Sequence, residues 1–445
     1  MRPRFTVERV RVENFRGFEE AEYSFNPEFN LIVGDNATGK TSLIEAIAVL
    51  VSPWIQGATE QRGRPILVWD YRRVQKSEGG MQRVGRPFET VVSGVVNGIA
   101  ETVTGQAAVV TEEEVLSLSE LALAGRDAMR KAAAGEGGVY LPLLAYYGTE
   151  RVGGAFYAGP KKSKPETGDL ERERGYERSL DARISTRWFT EWMRDQALET
   201  FERDGDELPQ SVAARRTLAD TIDGVVDVRY SARIRSVVAE FEDGRVLPTR
   251  YLSQGQRRVL RLVGDIAWRM IQLNAWLEDR VLAETPGVVL IDELGLHLHP
   301  KWERRIVDQL RTAFPSIQFV ATSHSPFIVQ SMREGELISL DTVPVPQTSN
   351  LGVDDIAEGL MDVPPLVEDV AEDEMGVEHA EVSERYLRMK STARAFMEAL
   401  EASDLSEREQ YEAFQRRLAE DVAPYADNPA YQAFLEMKLA AKAGV

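Results

Sequence analysis

The sequence predicts an α/β protein: a mixed sheet flanked by helices, with an α+β insertion and a small C-terminal helical appendage. Three observations predict it. The apolar run Phe29–Val33 feeds a glycine-bearing loop, Gly34-Asp35-Asn36-Ala37-Thr38-Gly39-Lys40-Thr41, and then a helical pattern over 42–51. Two later apolar runs, 288–291 and 317–322, have the length and composition of buried strands. The helical pattern over 302–313 separates them, which is the spacing of a parallel pair.

Residues 7–12 alternate as a strand, and 22–25 read as another. Ser52-Pro53 is expected to close the first helix, because proline lacks the donor that the helix needs. Residues 88–96 and 101–110 flank Asn97-Gly98 and read as a hairpin. A helical stretch over 112–134 ends at Gly135-Glu136-Gly137-Gly138, and 141–147 is a buried strand. Residues 153–168, rich in Gly, Lys and Pro, read as a mobile loop. Helices follow over 185–201 and 212–222, strands over 226–230 and 237–241, a long helix over 257–277 and a short one over 327–332. The tail carries three helical segments, striped by Tyr386, Met389, Phe396 and Leu400, then Tyr411, Phe414 and Leu418, then Tyr431, Phe434, Leu435 and Leu439. The expected organisation is one head in two parts, 1–52 and 251–345. An insertion over 53–250 has core strands near 141–147 and 226–241. An acidic linker over 346–380 and a partner-docking tail over 381–445 follow.

Composition narrows the function classes. The 445 residues carry a net charge of −19, which disfavours a non-specific coat on nucleic acid. Charge is nonetheless clustered: 62–86 holds seven basic residues against Asp70 and Glu78, and 354–381 holds eleven acids with no Lys or Arg. Each cluster is either solvated surface or a site, a basic patch for nucleic acid in the first case and a docking segment in the second. The absence of cysteine excludes disulfides, thiolate metal sites and cysteine nucleophiles. Neither a signal peptide nor an apolar run long enough for a bilayer is read from the sequence, so the expectation is a soluble cytoplasmic protein.

The strand–loop–helix setting makes 34–41 a phosphate-binding loop. Its glycines let backbone N–H groups wrap an anion, and the helix N-terminus adds partial positive charge. Lys40 reaches the β- and γ-phosphates of ATP, and Thr41 ligates Mg²⁺. Asp292-Glu293 ends an apolar strand, where Asp292 can hold the metal and Glu293 can polarise an attacking water. The bland alternative is an acidic pair capping the next helix. Thr322-Ser323-His324-Ser325 follows the next apolar strand and puts a histidine within reach of a γ-phosphate. Leu252-Ser253-Gln254-Gly255-Gln256 opens the long helix; alone it is an ordinary cap, but lying between a P-loop and an acidic strand end it reads as an anion site. His297 and His299 offer a metal pair with no third ligand nearby; Pro300 favours a structural turn instead.

This order of motifs resembles the ABC-type P-loop ATPase heads of the SMC, RecF and OLD-like group, with Val10 to Phe18 resembling their opening strand. Three stretches, 144–149, 251–274 and 288–326, are more closely similar to the ATPase subunit of the Septu anti-phage system and related defence ATPases. The resemblance implies Gly34, Asn36, Gly39, Lys40, Thr41 and Ser42 on phosphate and Mg²⁺, with Asp292 on the metal, Glu293 as base and His324 as switch. It implies Ser253 and Gly255 acting on the nucleotide of a second copy, hence an ATP-sandwich dimer or larger homo-oligomer. It also implies an HNH nuclease as a separate chain, and in some members a retron reverse transcriptase and its DNA. One departure stands out: Gly148-Thr149-Glu150-Arg151 occupies the place of the Q-loop glutamine. The alternatives are an SMC/RecF-like repair ATPase, or an OLD-like ATPase without its own nuclease. A transporter subunit fits neither the opening strand nor the insertion, and long coiled-coil arms are absent from the sequence.

Overall fold

The computed structural model describes residues 4–34, 38–59, 70, 72–75, 81–83, 89–106, 119–149, 170–181, 186–296 and 298–340, with isolated helical positions between 392 and 442. The chain divides into two compact units, Met1–Met361 and Asp362–Val445.

In the larger unit, β1 (Val7–Phe15) and β2 (Phe18–Ser24) form a hairpin, and β3 (Phe29–Val33) leads through the glycine loop into α1 (Lys40–Ala58). β4 (Arg73–Gln75) and β5 (Met81–Arg83) make a short ribbon. β6 (Glu89–Val96) and β7 (Ile99–Gln106) are joined by Asn97-Gly98, both with positive φ (52° and 77°), as a tight two-residue hairpin requires. These strands complete an antiparallel sheet in the order β2-β1-β6-β7. The segment 89–106, which sequence reasoning assigns to an insertion, therefore builds the head's own second sheet. Its partner β1 lies some eighty residues away, a pairing no local pattern encodes.

α2 (Glu120–Ala133), capped by the Ser119 hydroxyl, packs on α1. β8 (Leu143–Tyr147) follows, then α3 (Leu170–Glu173), α4 (Thr186–Glu202) and α5 (Pro209–Asp220). β9 (Val225–Ser231), β10 (Ser236–Phe241) and β11 (Val246–Pro248) form a separate three-stranded antiparallel sheet. α6 (Gln254–Asn274), α7 (Val281–Glu284), β12 (Gly287–Ile291), α8 (Pro300–Ala313), β13 (Ile317–Thr322), α9 (Pro326–Gln330) and β14 (Leu337–Ser339) complete the unit. Strands β14-β3-β13-β12-β8, in that order, form a parallel sheet. β3, β8, β12 and β13 are buried along their whole length, the signature of a parallel sheet covered on both faces.

α1 lies between the two sheets, touching β1 and β6 on one side and β13, β12 and β8 on the other. That placement explains why it is apolar nearly all round. By length and composition it could cross a membrane, contrary to the sequence expectation, but it is a core helix: 72% of its apolar window is buried within the protein. Pro53 does not end it. The helix runs on to Ala58, because the next turn buries Trp54 and Ile55, and the Trp54 indole N–H donates to the Tyr176 hydroxyl at 3.0 Å. Those contacts offset the lost backbone bond, which costs about 3 kcal/mol. Gly57 and Gly125 let α1 and α2 cross closely: a Cβ at Gly57 would meet the Ala122 carbonyl oxygen at 1.8 Å, and one at Gly125 the Trp54 carbonyl oxygen at 2.4 Å.

A buried glutamine ties the sheets together. Gln318 on β13 accepts from the Val7 N–H (2.8 Å) and donates to the carbonyls of Val7 (2.9 Å) and Asn26 (2.8 Å). In the smaller unit Phe396, Leu400, Leu418, Leu435 and Leu439 are buried at helical positions, with the Phe396 and Phe414 rings edge-to-face at 5.9 Å. The loop read over 153–168, the basic cluster apart from Asp70, Arg72, Arg73 and Arg83, and the acidic segment lie outside the described residues.

Candidate active site

The candidate site gathers at the carboxyl ends of β3, β12 and β13, where open parallel sheets bind ligands. β13 lies between the P-loop strand and the acidic strand, so its last residue, Thr322, reaches both neighbours. The Thr322 hydroxyl donates to Asp292 Oδ1 at 2.8 Å and accepts from the Glu293 N–H at 2.8 Å, while its carbonyl accepts from the Leu294 N–H at 2.8 Å. From α1, the Thr41 hydroxyl stands 3.2 and 3.1 Å from the two Asp292 oxygens, which are buried. Lys40, also buried, donates from Nζ to the Gly34 carbonyl at 2.6 Å. Gly39 has φ 108°, a conformation only glycine adopts freely, and Phe18 covers it so closely that a Cβ would meet the ring at 2.7 Å. Ser42 follows on the first turn of α1, while Asn36 and His297 lie outside the described residues.

Glu293 also has a left-handed backbone, φ 55°. That turn sends its carboxylate toward the next loop, where His324 Nε2 is 3.4 Å from Glu293 Oε1. His299 is not part of this cluster. Its Nδ1 accepts from the Lys301 N–H at 3.3 Å as the cap of α8, which is the structural-turn reading.

Ser253 forms a reciprocal cap at the start of α6: its hydroxyl accepts from the Gln256 N–H (3.2 Å) and its own N–H donates to Gln256 Oε1 (2.9 Å). The cap is exposed, with Tyr251 beside it, 67% exposed under the Arg250 guanidinium. No hydrogen bond among the described residues joins Ser253 or Gly255 to Lys40, Thr41, Asp292 or Glu293.

Sequence reasoning missed the residues that brace the site. Tyr147, at the end of β8, donates to Asp265 Oδ2 (2.8 Å), which also pairs with Arg269 Nε (2.7 Å); Arg269 in turn donates to the carbonyls of Gly175 and Glu177. Burial pushes the Tyr147 phenol well above its ordinary range, and the Asp265 charge adds to it. Asp265 and Arg269, one turn apart in the otherwise apolar stretch 262–271 of α6, were the available signal. At the β1–β2 turn, Arg16 bonds Asp70 (2.8 Å) and Glu45 on α1, fixing the turn over the phosphate-loop helix.

The donor set fits a nucleotide with Mg²⁺. Thr41 and Asp292 present a hydroxyl and a carboxylate side by side, and Lys40 holds a carbonyl where a phosphate oxygen would compete for it. No group of three or more His, Asp or Glu side chains arranged for a metal exists among the described residues, which suits an ion bound through one carboxylate, one hydroxyl and phosphate rather than a protein cage.

Known proteins share these features. Residues 160–330 match the family described as "AAA domain, putative AbiEii toxin, Type IV TA system", and residues 9–62 match a second "AAA domain" family. The chain is 33% identical over 128 residues to the "Retron Vc95 probable ATPase" of Vibrio cholerae serotype O1 biovar El Tor, covering 29% of this chain and 24% of that protein. It is 24% identical over 388 residues to the "Retron Ec83 probable ATPase" of Escherichia coli, covering 73% and 69% of the two chains. Against "Septu protein PtuA" of Bacillus mycoides (strain KBAB4) it is 40% identical over 89 residues, 20% of this chain and 12% of that one. The matches to the Vibrio and Bacillus proteins thus span less than a quarter of either relative's length. Among solved structures, an SMC head bound to the C-winged helix domain of ScpA aligns with a TM-score of 0.37 and 14% identity, over 78% of this chain and 95% of that one.

The parallel sheet, the P-loop and the motifs at its rim resemble those of the P-loop ATPase heads of the ABC/SMC/RecF group. Within that group the chain is similar to the Septu PtuA proteins and the retron ATPases.

Proposed function

We propose that the chain binds ATP with Mg²⁺ and hydrolyses it at a dimer interface, and that this cycle regulates a nuclease effector in anti-phage defence. The observation that carries the reading is the Thr41–Asp292–Thr322–Glu293 hydrogen-bond network. In it the Thr322 hydroxyl, at the end of β13, bonds both Asp292 and the Glu293 N–H after β12, with Thr41 of α1 beside Asp292, which supports reading Thr41 and Asp292 as the metal pair and Glu293 as the base. Mg²⁺ would supply charge neutralisation at the phosphates, with Thr41 and Asp292 as its protein ligands. Gly34, Asn36, Gly39, Lys40 and Ser42 cradle the phosphates. Glu293 orients and deprotonates the attacking water, and His324 beside it hydrogen-bonds the transferring group.

The exposed cap at Ser253 and Gly255 supports the dimer. It is exposed and offers backbone N–H groups and a hydroxyl to an anion, and on the resemblance to ABC-type heads that anion would be the nucleotide of a second copy. The nuclease, and with it a cytoplasmic location and any retron nucleic acid, rest on the similarity to Septu PtuA and retron ATPases.

Glu293→Gln tests the core of the reading. ATP binding is expected to persist while turnover falls about 10²–10⁴-fold, the range for loss of a general base. Wild-type turnover in the purified variant would remove Glu293 from that role.

A further inference from the structure

Glu303 belongs to none of the motifs above. It lies in the first turns of α8, just beyond the loop that leaves Glu293, and is half-buried. Its Oε2 accepts from the Ser325 hydroxyl at 2.7 Å. Its Oε1 lies against Gly295 so closely that a Cβ there would meet it at 3.0 Å, with Ile328 Cδ1 at 3.0 Å and Ser323 Oγ at 3.4 Å. One carboxyl group thus touches two loops: the one after β12, which begins with Asp292-Glu293, and the one after β13, which carries His324. The Ser325 N–H donates to Ser323 Oγ at 3.0 Å, closing the second loop around His324.

Stability alone does not account for the residue. No ion pair among the described residues neutralises it: Arg304, next in sequence, stacks on Phe327 at 4.5 Å instead. Burial pushes the Glu303 carboxyl up to about 7, against the opposing pull of the Ser325 hydroxyl and the Arg304 charge. Neutral or ionised, the carboxyl still accepts from Ser325, so what the position requires is an acceptor of this length rather than a charge.

We propose that Glu303 is a positioning residue for ATP hydrolysis, pinning the Ser323-His324-Ser325 loop onto the loop after β12 so that His324 stays at its working distance from Glu293. The inference rests on the ATPase reading above and adds to it a residue outside the nucleotide motifs. It also gives Gly295 a reason: a Cβ there would press on the Glu303 carboxyl and on Ile328, each at 3.0 Å.

Steady-state hydrolysis by the full chain tests it, with Glu303→Ala, Glu303→Gln and Ser325→Ala compared with wild type. Glu303→Ala and Ser325→Ala are expected to lower kcat about tenfold, leaving KM for ATP within about twofold, because displacement of a catalytic group costs rate rather than binding. Glu303→Gln, which keeps the acceptor, is expected to recover most of that loss. Hydrogen exchange of the 322–330 amides is expected to speed up in the two alanine variants and not in the glutamine variant. Wild-type kcat in a folded Glu303→Ala or Ser325→Ala chain would overturn the proposal, as would a raised KM at constant kcat. A glutamine variant as impaired as the alanine one would overturn it too. If Glu303→Ala fails to fold, Ser325→Ala carries the test. A wild-type chain without turnover would overturn the ATPase reading along with this one, whereas turnover unaffected by all three substitutions would overturn only the brace.

Discussion

Glu293 holds a backbone conformation that costs a residue with a Cβ about 1–2 kcal/mol. The strain is met by a bond from its own N–H to Thr322, and it aims the carboxylate at His324 rather than along the strand. Glu303, one loop away, carries a second cost that can be read from pH. Its folded-state pKa is raised from 4.5 to about 7, so between those values the folded chain binds a proton that the unfolded chain has released. The associated stability is fully present below about pH 4.5 and is lost as pH rises through about 7. The full loss is on the order of 3 kcal/mol. Glu303→Gln removes that slope. Urea denaturation is expected to find the variant close to wild type at pH 5 and clearly more stable at pH 8. A difference that does not widen between those pH values would show that Glu303 titrates as an ordinary surface carboxylate.

Where two helices cross, the argument turns on volume. Gly57 and Gly125 leave no room for a Cβ between α1 and α2, whereas Gly137, in the turn beyond α2, has nothing within 4 Å. Gly125→Leu is therefore expected to destabilise the chain by about 3 kcal/mol or more, through overpacking. Gly137→Leu is expected to stay within about 0.5 kcal/mol of wild type. Equal denaturation midpoints for the two variants would refute the close crossing. The same elements show what was legible in the sequence. Asn97-Gly98 announced its hairpin because the two positive φ values that the turn demands are local chemistry. The buried strands announced themselves by unbroken apolar runs, and the P-loop, Asp292, Glu293 and Thr322 by their places at strand ends. Pro53 misled, because the burial of Trp54 and Ile55 that carries α1 onward is tertiary. The pairing of β1 with β6, the Gln318 bridge and the Tyr147–Asp265–Arg269 set were equally hidden, since each joins residues distant in sequence. Glu303 lay unmarked within the helical pattern over 302–313, since its partner Ser325 sits on another loop.

For the molecule as a whole, the proposed action of the exposed Ser253 cap on a second copy's nucleotide makes oligomeric state the decisive observable. Ser253→Arg is expected to leave ATP affinity of the single chain within about threefold while abolishing ATP-dependent dimers in native mass measurement, since a bulky cation replaces a small anion-binding cap. An ATP-driven dimer that survives the substitution would argue against a shared site. The net charge of −19 works against association of like copies, so the proposed dimer would need a ligand that supplies attraction at the seam. The placement of α1 bears on how such an assembly moves. Gripped by a sheet on each side and crossed by α2 at backbone distance, it cannot tilt or slide without opening a packed core. α1 is therefore the anvil of the head. Under the proposed ATPase cycle, any stroke falls to the parts hung from its rim, namely the histidine loop, the turn after β12 and the exposed end of α6.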